Sequence, residues 1–139
     1  FESHSRLQDI KNFSIMKKEI ATTKAPGAIG PYSQAVQAGN LVFVSGQLPI
    51  DPATGEMPAN IKDQTSQSIS NIVNILAEAG MSLDNVVKTT VFLADMSLFG
   101  EMNEVYGSYF TAPYPARCAF AVKELPKKAL VEIEVIAAL

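Results

Sequence analysis

Hydrophobic side chains recur along this chain with two different periods. Residues 41–47 form a short, nearly continuous apolar run of β-branched and aromatic type, which predicts a strand covered on both faces. Residues 63–79 repeat apolar side chains at helical spacing and are followed by Gly80, a typical left-handed helix cap, so a helix is expected there. A second β-branched run at residues 85–94 predicts another central strand.

A second helix is predicted after Ser97, whose hydroxyl is typical of an N-cap. Its apolar positions follow helical spacing and are Leu98, Met102, Val105, Tyr106 and Tyr109. A short strand candidate at residues 19–22 and two alternating runs near the C-terminus complete the pattern. The predicted order is three strands, a helix, a strand, a helix and two strands, which indicates an α+β fold.

One face of the predicted sheet lacks a helix to cover it. Two amphipathic helices cover only one face of such a sheet, whereas the run at residues 41–47 is apolar on both sides. We therefore expect other copies of the same chain to bury the second face.

The two alternating runs near the C-terminus carry an arginine and a glutamate. In the first run Cys118 and Phe120 share an apolar face, with Arg117 and Ala119 on the other, and the second run contains Glu132. We expect the two runs to lie on adjacent strands, where the guanidinium could bind the carboxylate of a small acid beside the alanine. An ordinary hairpin with a solvated polar face is the alternative that this spacing leaves open.

Composition narrows the class of protein. The chain has 139 residues, of which 47% are hydrophobic and 18% charged, as in a single globular domain. A net charge of −3 argues against nucleic acid as a partner. No apolar stretch reaches the roughly 20 residues that span a membrane. The single cysteine, predicted on an apolar face, favours a reducing compartment, the cytoplasm or, for a eukaryotic source, the mitochondrion.

Residues 1–15 show no apolar periodicity. We interpret them as an expression remnant or an upstream extension, with a transit-peptide fragment as a further alternative, before a natural start at Met16 and a single domain at 16–139. The only histidine is His4, in this segment. The domain therefore lacks the residue type of histidine-based triads and of most zinc sites, and we expect neither a metal nor an organic cofactor.

Two polar positions lie beside predicted turns. Tyr32 is in the loop 24–33, where two prolines and two glycines indicate a specific turn. No strand precedes these glycines and no Gly-Lys-Ser/Thr follows, which argues against a phosphate cradle. Ser45 is at the abrupt polar end of the apolar run and is either a pocket residue or a strand-terminal hydroxyl bonded to the backbone.

Several short motifs together resemble the reactive intermediate deaminase (Rid or YjgF) family, RidA subgroup. The resemblance extends from about residue 20 to the C-terminus. Its motifs are Ala28-Ile-Gly-Pro-Tyr32-Ser, Val44-Ser-Gly-Gln47, Val87-Lys-Thr-Thr-Val-Phe92, Asn103 with Tyr106, Pro115-Ala-Arg117 and Val131-Glu-Ile-Glu134.

This resemblance implies a homotrimer with a central barrel, built from chorismate-mutase-like α+β subunits. Each subunit would have a mixed sheet of about six strands with two helices packed on one face, and three sites would lie between neighbouring subunits. Enzymes of this kind hydrolyse 2-imino acids, or the enamines in equilibrium with them, to 2-oxo acids and ammonia. The implied substrates are 2-iminobutanoate and 2-iminopropanoate.

The resemblance also implies roles for individual residues. Arg117 would hold the substrate carboxylate with help from the backbone N–H of Ala119, and Glu132 would position the attacking water. Tyr32, Ser45 and Asn103 match positions that line or order the family's pocket.

One departure concerns the residues after the arginine. Many relatives have a cysteine two residues after it, whereas this chain has Ala119 there and Cys118 directly beside Arg117. A backbone contact at that position is preserved by alanine, whereas thiol-dependent regulation there is put in doubt. Glu134, one step along the same polar face as Glu132, is expected to be a solvated residue.

Two other functions are compatible with the sequence. The first is a regulatory trimer that binds 2-oxo acids through Arg117 without turnover. The second is a ribonuclease or translation inhibitor, which the acidic balance and the missing histidine disfavour.

Overall fold

The computed structural model describes residues 17–139. The predictions for the N-terminal extension, for a start at Met16 and for His4 lie outside the described residues. In the part described, the predicted order of elements is confirmed: three strands, a helix, a strand, a helix and two strands.

Six strands form one mixed sheet. They are β1 (Lys18–Ile20), β2 (Ala35–Ala38), β3 (Leu41–Gln47), β4 (Val86–Leu93), β5 (Ala116–Ala121) and β6 (Val131–Ala138). Their order across the sheet is β1-β2-β3-β6-β4-β5. Neighbouring strands are antiparallel except β4 and β5, which are parallel because a helix connects them.

Two helices, α1 (Ile61–Glu78) and α2 (Phe99–Tyr109), follow β3 and β4. The Asn60 side chain caps α1 by accepting a hydrogen bond from a backbone N–H, so this helix begins two residues before the predicted start. Gly80 follows with φ of 74°, as its capping role requires. The predicted cap of the second helix is wrong: Asp95 accepts from the Ser97 N–H and caps a short 3-10 turn that precedes α2.

Both helices lie on one face of the sheet and enclose the core there. Buried side chains of α1, including Ile69, Ile72 and Leu76, belong to the same apolar cluster as Val42 of β3 and Ile133 of β6. This arrangement is the α+β architecture expected from the sequence.

The opposite face of the sheet is open in the single chain. Val42 and Val44 of β3 are buried toward the helices, whereas Phe43 between them is 40% exposed. Phe120 on β5 is 44% exposed and packs edge-on against Phe92 of β4. The apolar run 41–47 therefore has one face for the helices and one for another surface, and its burial by further copies stays a prediction.

The prediction that the two C-terminal runs lie on adjacent strands is wrong. Strand β4 lies between β5 and β6, so these strands form neither the adjacent pair nor the ordinary hairpin considered from the sequence. Consecutive strands pair only when nothing else occupies the position between them, and here β4 pairs with both.

The face of β5 that carries Cys118 is not covered within one chain. Cys118 and Phe120 do share a face, but it is the open face, because α2 covers the Arg117 side of this edge strand. The thiol is exposed and lies 3.3 Å from Nζ of Lys88.

Candidate functional site

Arg117 projects from β5 toward α2. Its Nη1 donates a hydrogen bond of 2.7 Å to Oδ1 of Asn103, and its guanidinium lies 4.7 Å from the ring centroid of Tyr106 and 5.5 Å from that of Phe99. Among residues 17–139, no carboxylate lies within ion-pair distance of this cation. The charge is thus fixed in direction while remaining exposed, as an anion-binding group requires.

The support beneath Arg117 comes from the helical spacing of α2. Phe99, Asn103 and Tyr106 are four and three residues apart and therefore share one side of the helix. The buried Tyr106 hydroxyl is 2.8 Å from Oγ1 of Thr89, which pairs directly with Arg117 across the parallel strands. The ring under the guanidinium is consequently locked to the sheet.

Ala119 lies two residues after Arg117 on the same face of β5. It is half-buried and pairs with Val91, one of the fully buried residues of β4. Room for a small acid beside the guanidinium stays a prediction.

Glu132 is on the open face of the sheet, between the buried residues Val131 and Ile133 of β6. Its side chain is half-buried, and this desolvation raises the pKa of the carboxyl above its usual value, with a smaller contribution from the negative charge of Glu134. The protonated and ionised forms are therefore closer in free energy near neutral pH than for an exposed glutamate. Such a group is suited to general acid and base chemistry.

A groove of about 900 Å³ opens beside Glu132. Its walls come from the loop after β1, from the end of β3 and the loop that follows, and from residues 126–127. Tyr32, Ser45 and Glu132 line it, so the structure brings together three of the predicted site residues. Tyr32 is 54% exposed, and its hydroxyl accepts a hydrogen bond of 3.4 Å from the Ile29 N–H.

Ser45 has a backbone partner as well as a place in the groove wall. Its Oγ donates a 2.6 Å hydrogen bond to the carbonyl of Ser33, and its N–H donates to the carbonyl of Gln34. The hydroxyl is thus bonded to the backbone and ties the groove loop to β3, whereas a role of Ser45 in ligand binding stays a prediction.

Gln34 is a site residue that the sequence reasoning missed. Its buried amide donates to the carbonyls of Thr22 at 3.0 Å, Ala25 at 3.3 Å and Pro26 at 2.7 Å, and its Oε1 accepts from the Thr22 N–H at 2.7 Å. These bonds hold the loop that carries Tyr32. A single glutamine before a strand gives no periodic signal, and only the folded contacts identify this role.

The predicted site residues form two groups on opposite faces of the sheet. Arg117, Asn103 and Ala119 belong to the α2 side, whereas Glu132 belongs to the open side. Phe92 pairs with both Glu132 and Phe120, so strand spacing sets the α-carbons of Arg117 and Glu132 roughly 14 Å apart. One chain therefore does not bring this arginine and this glutamate to the same small molecule.

No helix within residues 17–139 is long and apolar enough to cross a membrane. Across the same residues, no group of three or more histidine, cysteine, aspartate or glutamate side chains is arranged to hold a metal ion.

A mixed six-stranded sheet with two helices on one face defines the class of this protein as an α+β fold. A family model described as "Endoribonuclease L-PSP" matches residues 22–139. The chain belongs to this family, and its resemblance to the reactive intermediate deaminases is confirmed by the relatives below.

Three similar proteins illustrate the family. A RutC family protein of Pyrococcus horikoshii is 56% identical over 123 residues, covering 88% of this chain and 98% of that protein. The 2-iminobutanoate/2-iminopropanoate deaminase of Mus musculus is 50% identical, covering 89% and 93%. A crystal structure of E. coli TdcF with bound serine superposes with a TM-score of 0.86 at 47% identity, covering 88% of this chain and 99% of that one.

Proposed function

We propose that this chain hydrolyses reactive 2-imino acids, 2-iminobutanoate and 2-iminopropanoate, to the corresponding 2-oxo acids and ammonia. The observation that carries the proposal is the pair of complementary groups: a fixed, exposed Arg117 without a carboxylate partner in the described residues, and a half-buried Glu132 facing a groove. The name of the mouse relative, which is 50% identical, supports this choice of substrates.

The complete site forms between two copies of the chain. Because Arg117 and Glu132 are on opposite faces of one sheet, a neighbouring subunit supplies the arginine to each glutamate-lined groove. The exposed apolar side chains of the open face, Phe43 and Phe120, provide a surface for assembly, and a trimer is the arrangement we propose.

Arg117 binds the substrate carboxylate. Asn103 uses one nitrogen of the guanidinium and sets its plane, leaving the remaining N–H groups to form two parallel charge-assisted bonds to the acid. The backbone N–H of Ala119 adds a donor on the same side, and its short side chain leaves room for the substrate. This placement fixes the imine carbon relative to the groove.

Glu132 positions and activates the water. The carboxylate takes a proton from the water as its oxygen bonds to the imine carbon, and the resulting carboxyl delivers that proton to the nitrogen. Glu132 then takes the proton of the new hydroxyl group and passes it to the amino nitrogen, so the C–N bond breaks with release of ammonia and the C–O bond becomes the carbonyl. Water and imine are consumed, and 2-oxo acid and ammonia are formed, so one group with a raised pKa serves both proton transfers.

The test compares two glutamates of the same strand. Glu132→Gln keeps the side-chain shape but removes the proton acceptor, so ammonia release from freshly generated 2-iminobutanoate should fall at least about a hundredfold, while binding of 2-oxobutanoate changes little. Glu134 is exposed one step along the same face, and Glu134→Gln is the matched control that should retain turnover.

Two results would contradict the proposal. Binding of 2-oxobutanoate by a wild-type protein that releases no ammonia above the uncatalysed rate would indicate a regulatory binding protein. Equal small losses in the two glutamine variants would remove Glu132 from the chemistry. A parallel RNA-cleavage assay with Arg117→Ala tests the activity that the family description mentions.

A further inference from the structure

Gly46 lies where β3 departs from regular pairing with β6. Val44 pairs with Val135 and Gln47 with Ile133, so two residues of β3 stand opposite one residue of β6. This is a β-bulge, and Gly46 is one of its two unpaired positions. Bulges change the direction of side chains next to functional sites, and this one borders the groove.

The space above Gly46 is occupied by Glu132. A Cβ built on this glycine would lie 2.7 Å from Oε2 of Glu132, 3.0 Å from its Cδ and 3.3 Å from its Cγ. These distances are shorter than ordinary contacts between carbon and its neighbours. The Glu132 carboxylate therefore occupies the space that a side chain at position 46 would take.

Backbone conformation does not explain the glycine. Four described glycines have positive φ angles, namely Gly30, Gly39, Gly55 and Gly80, and Gly46 is not among them. At the other described glycines an added Cβ would meet either nothing within 4 Å or, at Gly30, only the Tyr32 ring at 3.9 Å. Among residues 17–139, Gly46 is the one glycine whose missing side chain makes room for an ionisable group.

We infer that Gly46 is a positioning residue, whose absent side chain lets the Glu132 carboxylate lie across the bulge and face the groove. This inference rests on the proposed function, because it concerns the group that activates water there. A Cβ at this position would turn the glutamate away from the groove or widen the bulge. Misplacement of a catalytic group by about 1 Å can lower a rate by a factor of about a hundred.

The first experiment measures turnover and binding separately. Gly46→Ala should lower kcat for 2-iminobutanoate by tenfold or more, while the Kd for 2-oxobutanoate changes less than about threefold, because Arg117 is untouched. Gly100→Ala is the control, since Gly100 is exposed in α2 and an added Cβ there meets nothing within 4 Å. A kcat within twofold of wild type, or parallel losses of turnover and product binding, would overturn the inference.

The second experiment is a thermal-melt cycle that does not depend on turnover. Gly46→Ala should lower Tm when residue 132 is glutamate, and the loss should largely disappear when Glu132→Ala removes the obstructing side chain. An equal loss in both backgrounds, or failure of the double variant to fold, would show that the alanine collides with backbone and would overturn the inference.

The two experiments also separate this inference from the proposed function. A wild-type protein without imine hydrolysis contradicts the proposed function, whereas the cycle still decides whether Gly46 sets the position of Glu132. An active wild type with no coupling in the cycle contradicts only the positioning role.

Discussion

Arg117 is held by contacts that a lysine cannot reproduce. A guanidinium can bond to Oδ1 of Asn103, lie over the Tyr106 ring and still offer a fork to a carboxylate, whereas an ammonium is a single point charge. We expect Arg117→Lys and Arg117→Ala each to lower kcat/KM by about a hundredfold, or about 3 kcal/mol of transition-state binding. Near-normal kcat/KM in the lysine variant, measured by ammonia release, would contradict the assigned role.

The carboxyl of Glu132 should also leave a signature in folding. Its pKa in the folded state is raised above the usual 4.5, first by burial and then by Glu134, so the folded protein binds this proton more tightly than the unfolded chain does. The contribution of Glu132 to the free energy of unfolding should therefore be fully present below pH 4.5 and be lost as pH rises through the folded pKa.

Glu132→Gln removes this titration. The Tm of this variant minus the Tm of the wild type should therefore increase as pH rises. Tm values measured from pH 4 to pH 8 test this expectation. The same measurements on Glu134→Gln, a substitution of the exposed glutamate on the same strand, provide the comparison. A constant difference in Tm between wild type and Glu132→Gln across this range would mean that burial does not raise the pKa.

At the scale of elements, Gln34 holds the loop that carries Tyr32. Gln34→Ala would leave the N–H of Thr22 and three carbonyls without their partners, which should cost about 1 to 3 kcal/mol of unfolding free energy. The control is Gln37→Ala, since Gln37 makes a single exposed bond to the Gly39 carbonyl and should change stability by less than about 0.5 kcal/mol. Equal urea-denaturation midpoints for the two variants would contradict this assignment.

Element positions follow from the sequence where the signal is local. The run at residues 41–47 coincides with β3, and the periodic segment 63–79 overlaps α1 up to Glu78, with Ala79 as its C-cap, because each has its own repeat and boundary residues. The start of α2 differs by one residue from the one that a Ser97 cap predicts, because Asp95 caps a 3-10 turn at this point and α2 begins only after that turn, at Phe99.

Sheet order is where local reasoning failed. Strands β5 and β6 are consecutive in the chain, yet β4 takes the place between them, because α2 returns the chain to the far side of β4. Arg117 and Glu132 could be predicted as site residues from their residue types and motifs. Their location on opposite faces of the sheet could not be predicted. Gly46 belongs to one of the family motifs, but neither its role nor that of Gln34 could be predicted, because both roles depend on contacts between distant segments.

For the whole molecule, the location of Arg117 and Glu132 on opposite faces of the sheet leads to a test of assembly. The open face carries Phe43 and Phe120 at 40% and 44% exposure, so we expect a trimer by light scattering at micromolar concentration. If each site takes Arg117 from one subunit and Glu132 from another, two inactive variants should complement each other. Arg117→Ala subunits retain the glutamate, and Glu132→Gln subunits retain the arginine.

Unfolding an equal mixture of these two variants and refolding it together should therefore restore activity. With random assembly, a site is intact when its arginine and its glutamate come from the appropriate variants, which happens for about one quarter of sites by the combinatorics of a closed ring. We expect about a quarter of wild-type ammonia release from the mixture and almost none from each variant refolded alone. A wild-type monomer, or a mixture no more active than its components, would contradict a site shared between subunits, because a site within one chain is damaged in every subunit.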